Sequence, residues 1–244
     1  MTAASRVKFQ FERGRGYSLG SVRAFEAELL AARQSDCALS EELRAPGNDS
    51  PRWIKLRNEE LVPMIYYARH KGIADHANYI IMPEGCKVDI QLNASDYVQN
   101  FQVTVADPQW GFPDAGSIKH GGHERRLSME LLNRDGSDRW GPIVKSKENL
   151  TRDGQMVSTP QAEEAHHAGL KEAMVNKFRK NYCEGDVSLL VHARAYCDGL
   201  SIQQFREIAR RAYQEAKSEA NGNHTFVSVC VLDREDGYFI DLPN

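Results

Sequence analysis

The sequence predicts an α/β fold in which a mixed central sheet is flanked by helices, and three patterns carry this prediction. Helix start and stop signals occur at 58–72 and again at 161–182. A mostly apolar run at 186–196 is typical of a strand that is buried on both faces. Three short β-rich segments, separated by turn residues, lie between the two helices: 78–83, 87–92 and 99–106.

The length and composition indicate one large globular domain. A chain of 244 residues can bury a sizeable core, and contents of 41% hydrophobic and 27% charged residues are ordinary for such proteins. A break at 44–52 separates an N-terminal strand and helix extension, residues 1–50, from an α/β core at 51–244. We expect the two parts to pack together as one compact domain.

Charge and cysteine usage restrict the partners and the compartment. The net charge of −3 provides no general attraction for nucleic acid, although a local basic groove can still bind it. No segment is apolar enough to cross a bilayer and no apolar signal region opens the chain, so we expect a cytoplasmic protein without a membrane partner. The oligomeric state is left open, with a homodimer as one alternative. The cysteines form no CxxC pair, which favours reduced thiols: Cys37, Cys86, Cys183, Cys197 and Cys230.

The first half of the chain contains local signals for each element. Residues 6–12 predict a strand, and the apolar spacing behind Ser21 as N-cap predicts a helix at 22–34. Asn58 is the predicted N-cap of the helix that ends at Gly72. The connections between the next three strands are too short for crossovers, so we expect an antiparallel three-strand meander.

The second half alternates helices and strands. After the meander, 107–126 is rich in Gly, His and Pro and predicts a loop, followed by a short helix and an irregular stretch. The long helix and the buried strand come next, and a second amphipathic helix then ends at Gly222. Two strands, at 224–233 and 238–242, end the chain.

Polar side chains in the meander are the first candidates for a functional site. Asp89 lies on the second strand and is either a ligand or an acid satisfied by solvent and the hairpin. Alternation places Asn100, Gln102 and Thr104 on one face of the third strand. That face is either exposed or lines a polar groove, and the position of Trp110 directly after it favours the groove.

The order helix, three strands, helix, strand over roughly 58–196 resembles the core of the PD-(D/E)xK, or restriction-endonuclease-like, superfamily. In that family an Asp on the second core strand and a (D/E)xK motif on the third bind a divalent metal. The resemblance implies that Asp89 is the second-strand acid and that Mg²⁺ or Mn²⁺ is the cofactor. It places the (D/E)xK positions on Asn100 and Gln102, which are amides, and one acid with two amides makes a poor magnesium site.

Residues on the flanking helices can complete such a site. Glu59 or Glu60 can supply a further acid, as the resemblance implies for helix-borne acids, or can simply stabilise the helix dipole. Lys177 or Lys180 can replace the missing lysine, which lies on the following helix in some members of the superfamily. Both lysines also fit the polar face of an amphipathic helix.

Two loops carry basic side chains. His120 and His123 flank two glycines beside Arg125 and Arg126. This pattern fits a flexible polar loop, a contact to phosphate or nucleic acid, or a metal site that lacks a third ligand. Near the N-terminus, Arg13 in a Gly-containing turn belongs to a loop or touches a phosphate.

Two functions from different classes follow. The first is a metal-dependent nuclease that cleaves DNA or RNA, with Asp89 and Glu59 or Glu60 on the metal, Gln102 completing the site and Lys177 stabilising the transition state. The second is a non-catalytic module that keeps the fold and lacks the metal site. It would hold nucleic acid or a protein through the polar strand face and the His/Arg loop. An unrelated α/β enzyme is a third alternative.

Overall fold

A seven-stranded mixed sheet forms the centre of the computed structural model, which describes residues 2–44, 49–95, 97–108, 159–180, 186–193, 200–221, 224–233 and 237–242. The predicted loop and short helix of 109–158 lie outside the described residues. The strands are β1 Gly16–Ser18, β2 Asn78–Ile81, β3 Ile90–Asn93, β4 Val98–Ala106, β5 Val187–Ala193, β6 Ser228–Asp233 and β7 Phe239–Leu242.

The strands are ordered in the sheet as they are in the chain. Strands β1 to β4 pair antiparallel with their neighbours, β4–β5 and β5–β6 pair parallel, and β7 returns antiparallel to β6. Parallel neighbours require long crossovers, and each of these two connections contains a helix. The sheet is therefore mixed, and its change of direction falls at β4.

The helices are α1 Leu19–Ser35, α2 Cys37–Arg44, α3 Arg52–Leu56, α4 Val62–His70, α5 Thr159–Phe178 and α6 Ile202–Glu219. They cover both faces of the sheet. On one face the core includes residues of α1, α2, α3 and α4, and on the other it includes residues of α5 and α6. Strand β5 is buried along its whole length, with Leu190 in the first core and Leu189 in the second, as its apolar sequence predicts. None of the described helices combines the length and the hydropathy needed to span a bilayer.

The helix predicted to begin at Asn58 begins earlier, so the predicted N-cap is wrong. The chain enters α3 directly after Pro51, because a buried apolar residue, Ile54, already anchors this turn in the core. A π-helical turn, Arg57–Leu61, then connects α3 to α4. The π turn ends at Leu61, two residues before Pro63. Because proline has no N–H to donate to the carbonyl four residues back, the regular α-helical hydrogen-bond pattern is interrupted here. Both candidate glutamates lie in this π turn rather than in a first helical turn.

The N-terminal segment also differs from its prediction. No strand is assigned at 6–12; a short 3₁₀ turn, Ala4–Arg6, precedes extended chain whose Phe9 and Phe11 pack against Phe25. The alternating aromatics reflect core packing rather than a β ladder. Helix α1 begins at Leu19, because the Ser18 hydroxyl, and not that of Ser21, accepts the capping hydrogen bond from a backbone N–H.

Candidate active site

Asp89 lies immediately before β3 and is held between two other strands. Its backbone N–H donates to the Phe101 carbonyl at 2.9 Å, and its own carbonyl accepts from the Met82 N–H at 2.9 Å. Its carboxylate Oδ2 accepts a hydrogen bond from the backbone N–H of Val103 at 2.8 Å. The carboxylate is therefore fixed against β4, at the point where β3 no longer covers that strand.

Gln102 is the member of the predicted polar face that enters the interior. It is 3% exposed, and its two amide atoms have different partners. The Nε2 group donates to the Lys87 carbonyl, and Oε1 accepts from Lys177 Nζ at 2.6 Å. The Gln102 side-chain amide thus contacts the backbone of Lys87 and the side-chain ammonium of Lys177.

Lys177 lies in the last turn of α5 and reaches both Gln102 on β4 and Asp89 before β3. Besides its hydrogen bond to Gln102, its Nζ lies 3.8 Å from Asp89 Oδ2. Burial lowers the pKa of Lys177, while Asp89 acts in the opposite direction. A partly desolvated ammonium beside a fixed carboxylate is well placed to stabilise negative charge on a ligand.

Glu60 approaches the same region from the π turn. Its Oε1 lies 2.8 Å from Arg13 Nη2, and its Oε2 accepts from Arg13 Nη1 at 3.4 Å. Burial raises the pKa of Glu60 to about 7; Arg13 opposes this shift, and the nearby charges of Asp89 and Glu59 add to it. The charge of Asp89 therefore acts on the pKa of Glu60, and a shifted carboxyl beside a second acid is a candidate for a functional site.

A buried hydroxyl borders these acids. Tyr79 on β2 is fully buried, and its Oη has no hydrogen-bond partner within the part of the chain that the structure describes. Burial is the main cause that raises the pKa of Tyr79, and the charges of Glu60, Arg13 and Asp89 also act on it. A buried polar atom of this kind is normally satisfied by bound water or by a ligand.

Two other candidates lie at the periphery. Glu59 forms an ion pair with Lys55, one helical turn earlier, at 3.9 Å, and Lys180 is exposed beyond the end of α5. Their charges still act on the pKa of Lys177, Glu59 raising it and Lys180 lowering it. Of each predicted pair, Glu60 and Lys177 are thus the members that point inward.

The remaining candidates do not join this cluster in the described structure. Asn100 is half-buried and accepts a hydrogen bond from Gln91 on the neighbouring strand at 3.1 Å, and Thr104 is half-buried. The loop candidates lie outside the described residues: His120, His123, Arg125 and Arg126.

Sequence reasoning missed the contact of Arg13 with an acid and the role of Tyr79 beside it. Arg13 is distant in the chain from the residues it contacts, and a lone arginine in a Gly-containing turn points equally well to a loop. Tyr79 lies on a strand whose apolar pattern indicates only core packing. The proximity of the Tyr79 phenol to Glu60 depends on how β2 is placed in the sheet, which the sequence alone does not show.

The oxygen atoms of Asp89, Glu60 and Gln102 are of the ligand types that a hard divalent cation accepts. Within the described ranges no group of three or more His, Cys, Asp or Glu side chains is arranged to hold a metal. Magnesium, however, is commonly bound through one or two carboxylates, with waters and substrate phosphates supplying the other ligands. Asp89 and Glu60 provide two carboxylates and Gln102 provides an amide oxygen, and the buried Tyr79 hydroxyl beside them has no hydrogen-bond partner within the described residues.

Comparison with known proteins adds no relative. Neither a protein-family model, nor a curated protein, nor a solved structure matches this chain.

Proposed function

We propose that this protein is a metal-dependent phosphodiesterase that cleaves DNA or RNA, with its site formed by Asp89, Glu60, Gln102 and Lys177. The observation that carries the proposal is the contact of Lys177 with Gln102 at 2.6 Å and with Asp89 at 3.8 Å. The resemblance to the restriction-endonuclease-like superfamily implies an acid at the second core strand and, in some members, a lysine from the next helix, and Asp89 and Lys177 fit these two positions. The amides Asn100 and Gln102 depart from its (D/E)xK motif on the third strand.

The element order supports the same proposal. The helical segment formed by α3, the π turn and α4 precedes β2, β3 and β4, which pair antiparallel in succession. Helix α5 follows, and β5 then pairs parallel with β4. This order is similar to the restriction-endonuclease-like core, which we propose as the architecture of residues 52–193.

In the proposed mechanism Asp89 and Glu60 would hold the cation, and Gln102 would offer an amide oxygen as a further ligand. The chemistry that a bound divalent cation would supply is activation of water and neutralisation of charge on the phosphate. Lys177 faces the negative charge that develops on the phosphate oxygens during cleavage. Gln102 orients Lys177 by accepting its hydrogen bond, and Asp89 keeps the ammonium charged against the effect of burial.

The test is cleavage of supercoiled plasmid and of single-stranded RNA with Mg²⁺ or Mn²⁺. We expect the wild-type protein to cleave at least one substrate, and Asp89→Asn and Glu60→Gln to lose this activity. Asp75→Asn is the matched control, because Asp75 is an exposed acid paired with Arg23 away from the cluster. Metal-independent cleavage, or cleavage that persists in Asp89→Asn, would contradict the proposal.

One observation favours a second function, a non-catalytic binding module. Both acids already have cationic partners within the protein, Lys177 for Asp89 and Arg13 for Glu60, and Asn100 stands where the resemblance places the acid of the third core strand. Such a protein would bind oligonucleotides in the presence of EDTA without cleaving them when Mn²⁺ is added. Fluorescence anisotropy with a labelled oligonucleotide, followed by gel analysis of the same sample, distinguishes the two functions.

A further inference from the structure

Arg13 is delivered to the site by a segment that is anchored on both sides. Phe11 is buried and packs edge-to-face against Phe25. On the other side, the Gly14 N–H donates to the Ile81 carbonyl at 2.6 Å. Gly14 has a φ of +79°, a left-handed conformation that glycine adopts without strain, and this turns the chain beside the end of β2. The backbone at residue 13 is therefore held, and only the side chain is free to change its contacts.

The guanidinium makes three contacts there. Nη2 and Nη1 approach the two carboxylate oxygens of Glu60 at 2.8 and 3.4 Å, and Nη1 also donates to the Met82 carbonyl at 2.8 Å. A cation bound by Glu60 would need an oxygen of the same carboxylate. It would also meet the positive charge of the guanidinium at short range, where Coulomb repulsion is large.

A second ion pair in the protein allows the exposure of Arg13 to be compared with that of a buried, structural arginine. Arg57 pairs with Glu26, and the two side chains are 1% and 11% exposed. The Arg13 and Glu60 side chains are 32% and 14% exposed. The carboxylate is sheltered in both pairs, but the Arg13 side chain borders solvent and can leave its partner without being buried elsewhere.

We propose that Arg13 is a built-in competitor for the divalent cation, occupying the Glu60 carboxylate in the metal-free protein and moving away from it when the cation binds. The proposal rests on the proposed metal site. Displacement would leave a guanidinium at the border of the site, where it can form charge-assisted hydrogen bonds to a phosphate group. Arg13 would thereby couple occupancy of Glu60 by metal to the presence of an anionic substrate.

The experiment is calorimetric titration of the protein with Mn²⁺ at about pH 8, where carboxylates are ordinarily ionised. We expect Arg13→Gln to tighten the Mn²⁺ dissociation constant by about five- to tenfold, since one opposing charge is removed. Arg13→Lys keeps the charge without the two-pronged contact and should lie between the two proteins. Arg15→Gln is the matched control: it removes the same charge from an exposed side chain on the same segment, and we expect the wild-type constant.

Glu60→Gln in the Arg13→Gln background completes the set and should erase the gain. Equal or weaker Mn²⁺ binding in Arg13→Gln, an equal gain in Arg15→Gln, or no binding heat in any variant would each overturn the inference. Plasmid cleavage, measured separately, tests the proposed function: tighter metal binding without cleavage supports the competitor and refutes the nuclease, whereas cleavage with unchanged binding does the reverse. If Arg13→Gln fails to fold by circular dichroism, a dissociation constant of Arg13→Lys that is no tighter than the wild-type value overturns the inference.

Discussion

Lys177 donates a hydrogen bond to Gln102 at 2.6 Å, although 75 positions of the chain separate the two residues. The contact joins the end of α5 to the middle of β4. It directs the ammonium to the one buried amide of β4 and places it beside the carboxylate of Asp89. A lysine supplied by a helix in this way can take the place of a lysine on the strand itself.

Replacing Lys177 by Met should abolish the proposed cleavage while leaving the fold intact. The methionine keeps most of the buried stem, whereas removal of a group that stabilises transition-state charge typically lowers the rate by about 100-fold or more. Initial rates of Mn²⁺-dependent plasmid cleavage measure the effect. Lys180→Met is the matched control, because Lys180 is exposed three residues further on. Equal loss in both variants would indicate general charge attraction rather than a positioned lysine.

Asp89 should have two separable roles. Its carboxylate accepts a hydrogen bond from the Val103 N–H, so Asp89→Ala leaves that buried donor without its partner and should lower the free energy of unfolding by about 1–3 kcal/mol. Asp89→Asn keeps an oxygen acceptor and should retain most of the stability while losing Mn²⁺ binding. Urea denaturation and calorimetry of both variants provide the two readouts. Mn²⁺ binding by Asp89→Asn as tight as by the wild type would show that this carboxylate is not a ligand.

Local pattern predicted the elements whose surroundings are simple. Strand β5 is buried on both faces and is mostly apolar, and α6 has a capping box at Ser201 and a regular apolar face, so both are visible from sequence. The beginning of α3 and the π turn could not be predicted from sequence, because they depend on how Ile54 and Pro63 are accommodated in the core. Residues 37–44 form α2, which was not predicted, because a short polar segment rarely has enough periodicity to indicate a helix.

The site could be predicted only as far as a resemblance supplied candidates. Periodicity places Gln102 on a strand and Lys177 on a helix, but it leaves open which of Lys177 and Lys180 faces that strand. The choice depends on the rotation of α5 above the sheet. The contact of Arg13 with Glu60 spans 47 positions and depends on the turn at Gly14, so no local pattern contains it.

The raised pKa of Glu60 should appear as a pH dependence of stability. Burial raises this pKa from 4.5 to about 7, so the folded protein binds the proton more tightly than the unfolded chain does. The resulting stabilisation is fully present below about pH 4.5 and is lost as the pH rises through about 7, with a magnitude of up to about 3 kcal/mol. Glu60→Gln lacks this titration. Urea denaturation at about pH 5 and about pH 8 should show the wild type losing stability relative to Glu60→Gln, and parallel pH profiles would contradict the shift.

The ion pair between Arg57 and Glu26 should respond very differently to single and double replacement. Arg57 Nε donates to Glu26 Oε2 at 2.7 Å, and both residues are buried, so Arg57→Met strands a carboxylate in the core. We expect a loss of about 3–5 kcal/mol in the free energy of unfolding, most of which is recovered in Arg57→Met with Glu26→Leu. Arg6→Met breaks an exposed pair with Asp36 and serves as the control, with an expected change within about 0.5 kcal/mol. If the double variant is no more stable than Arg57→Met, the attraction between the two charges contributes more to the free energy of unfolding than their desolvation removes.

Gly169 should control the position of α5 and, through it, that of Lys177. In an exposed helix Gly→Ala stabilises by up to about 1 kcal/mol, but a methyl group at Gly169 would overlap the backbone carbonyl of Asp107, just beyond β4. We expect Gly169→Ala to lower the free energy of unfolding by about 2–3 kcal/mol, because the helix or the strand end must move. Lys177 lies eight residues further along α5, about 12 Å, so the same shift should weaken its contact with Gln102 and slow the proposed cleavage. Ser218→Ala, at an exposed position of α6, controls for helix propensity and should change stability by no more than about 0.5 kcal/mol. Wild-type stability of Gly169→Ala would show that the close approach of α5 to β4 is not required.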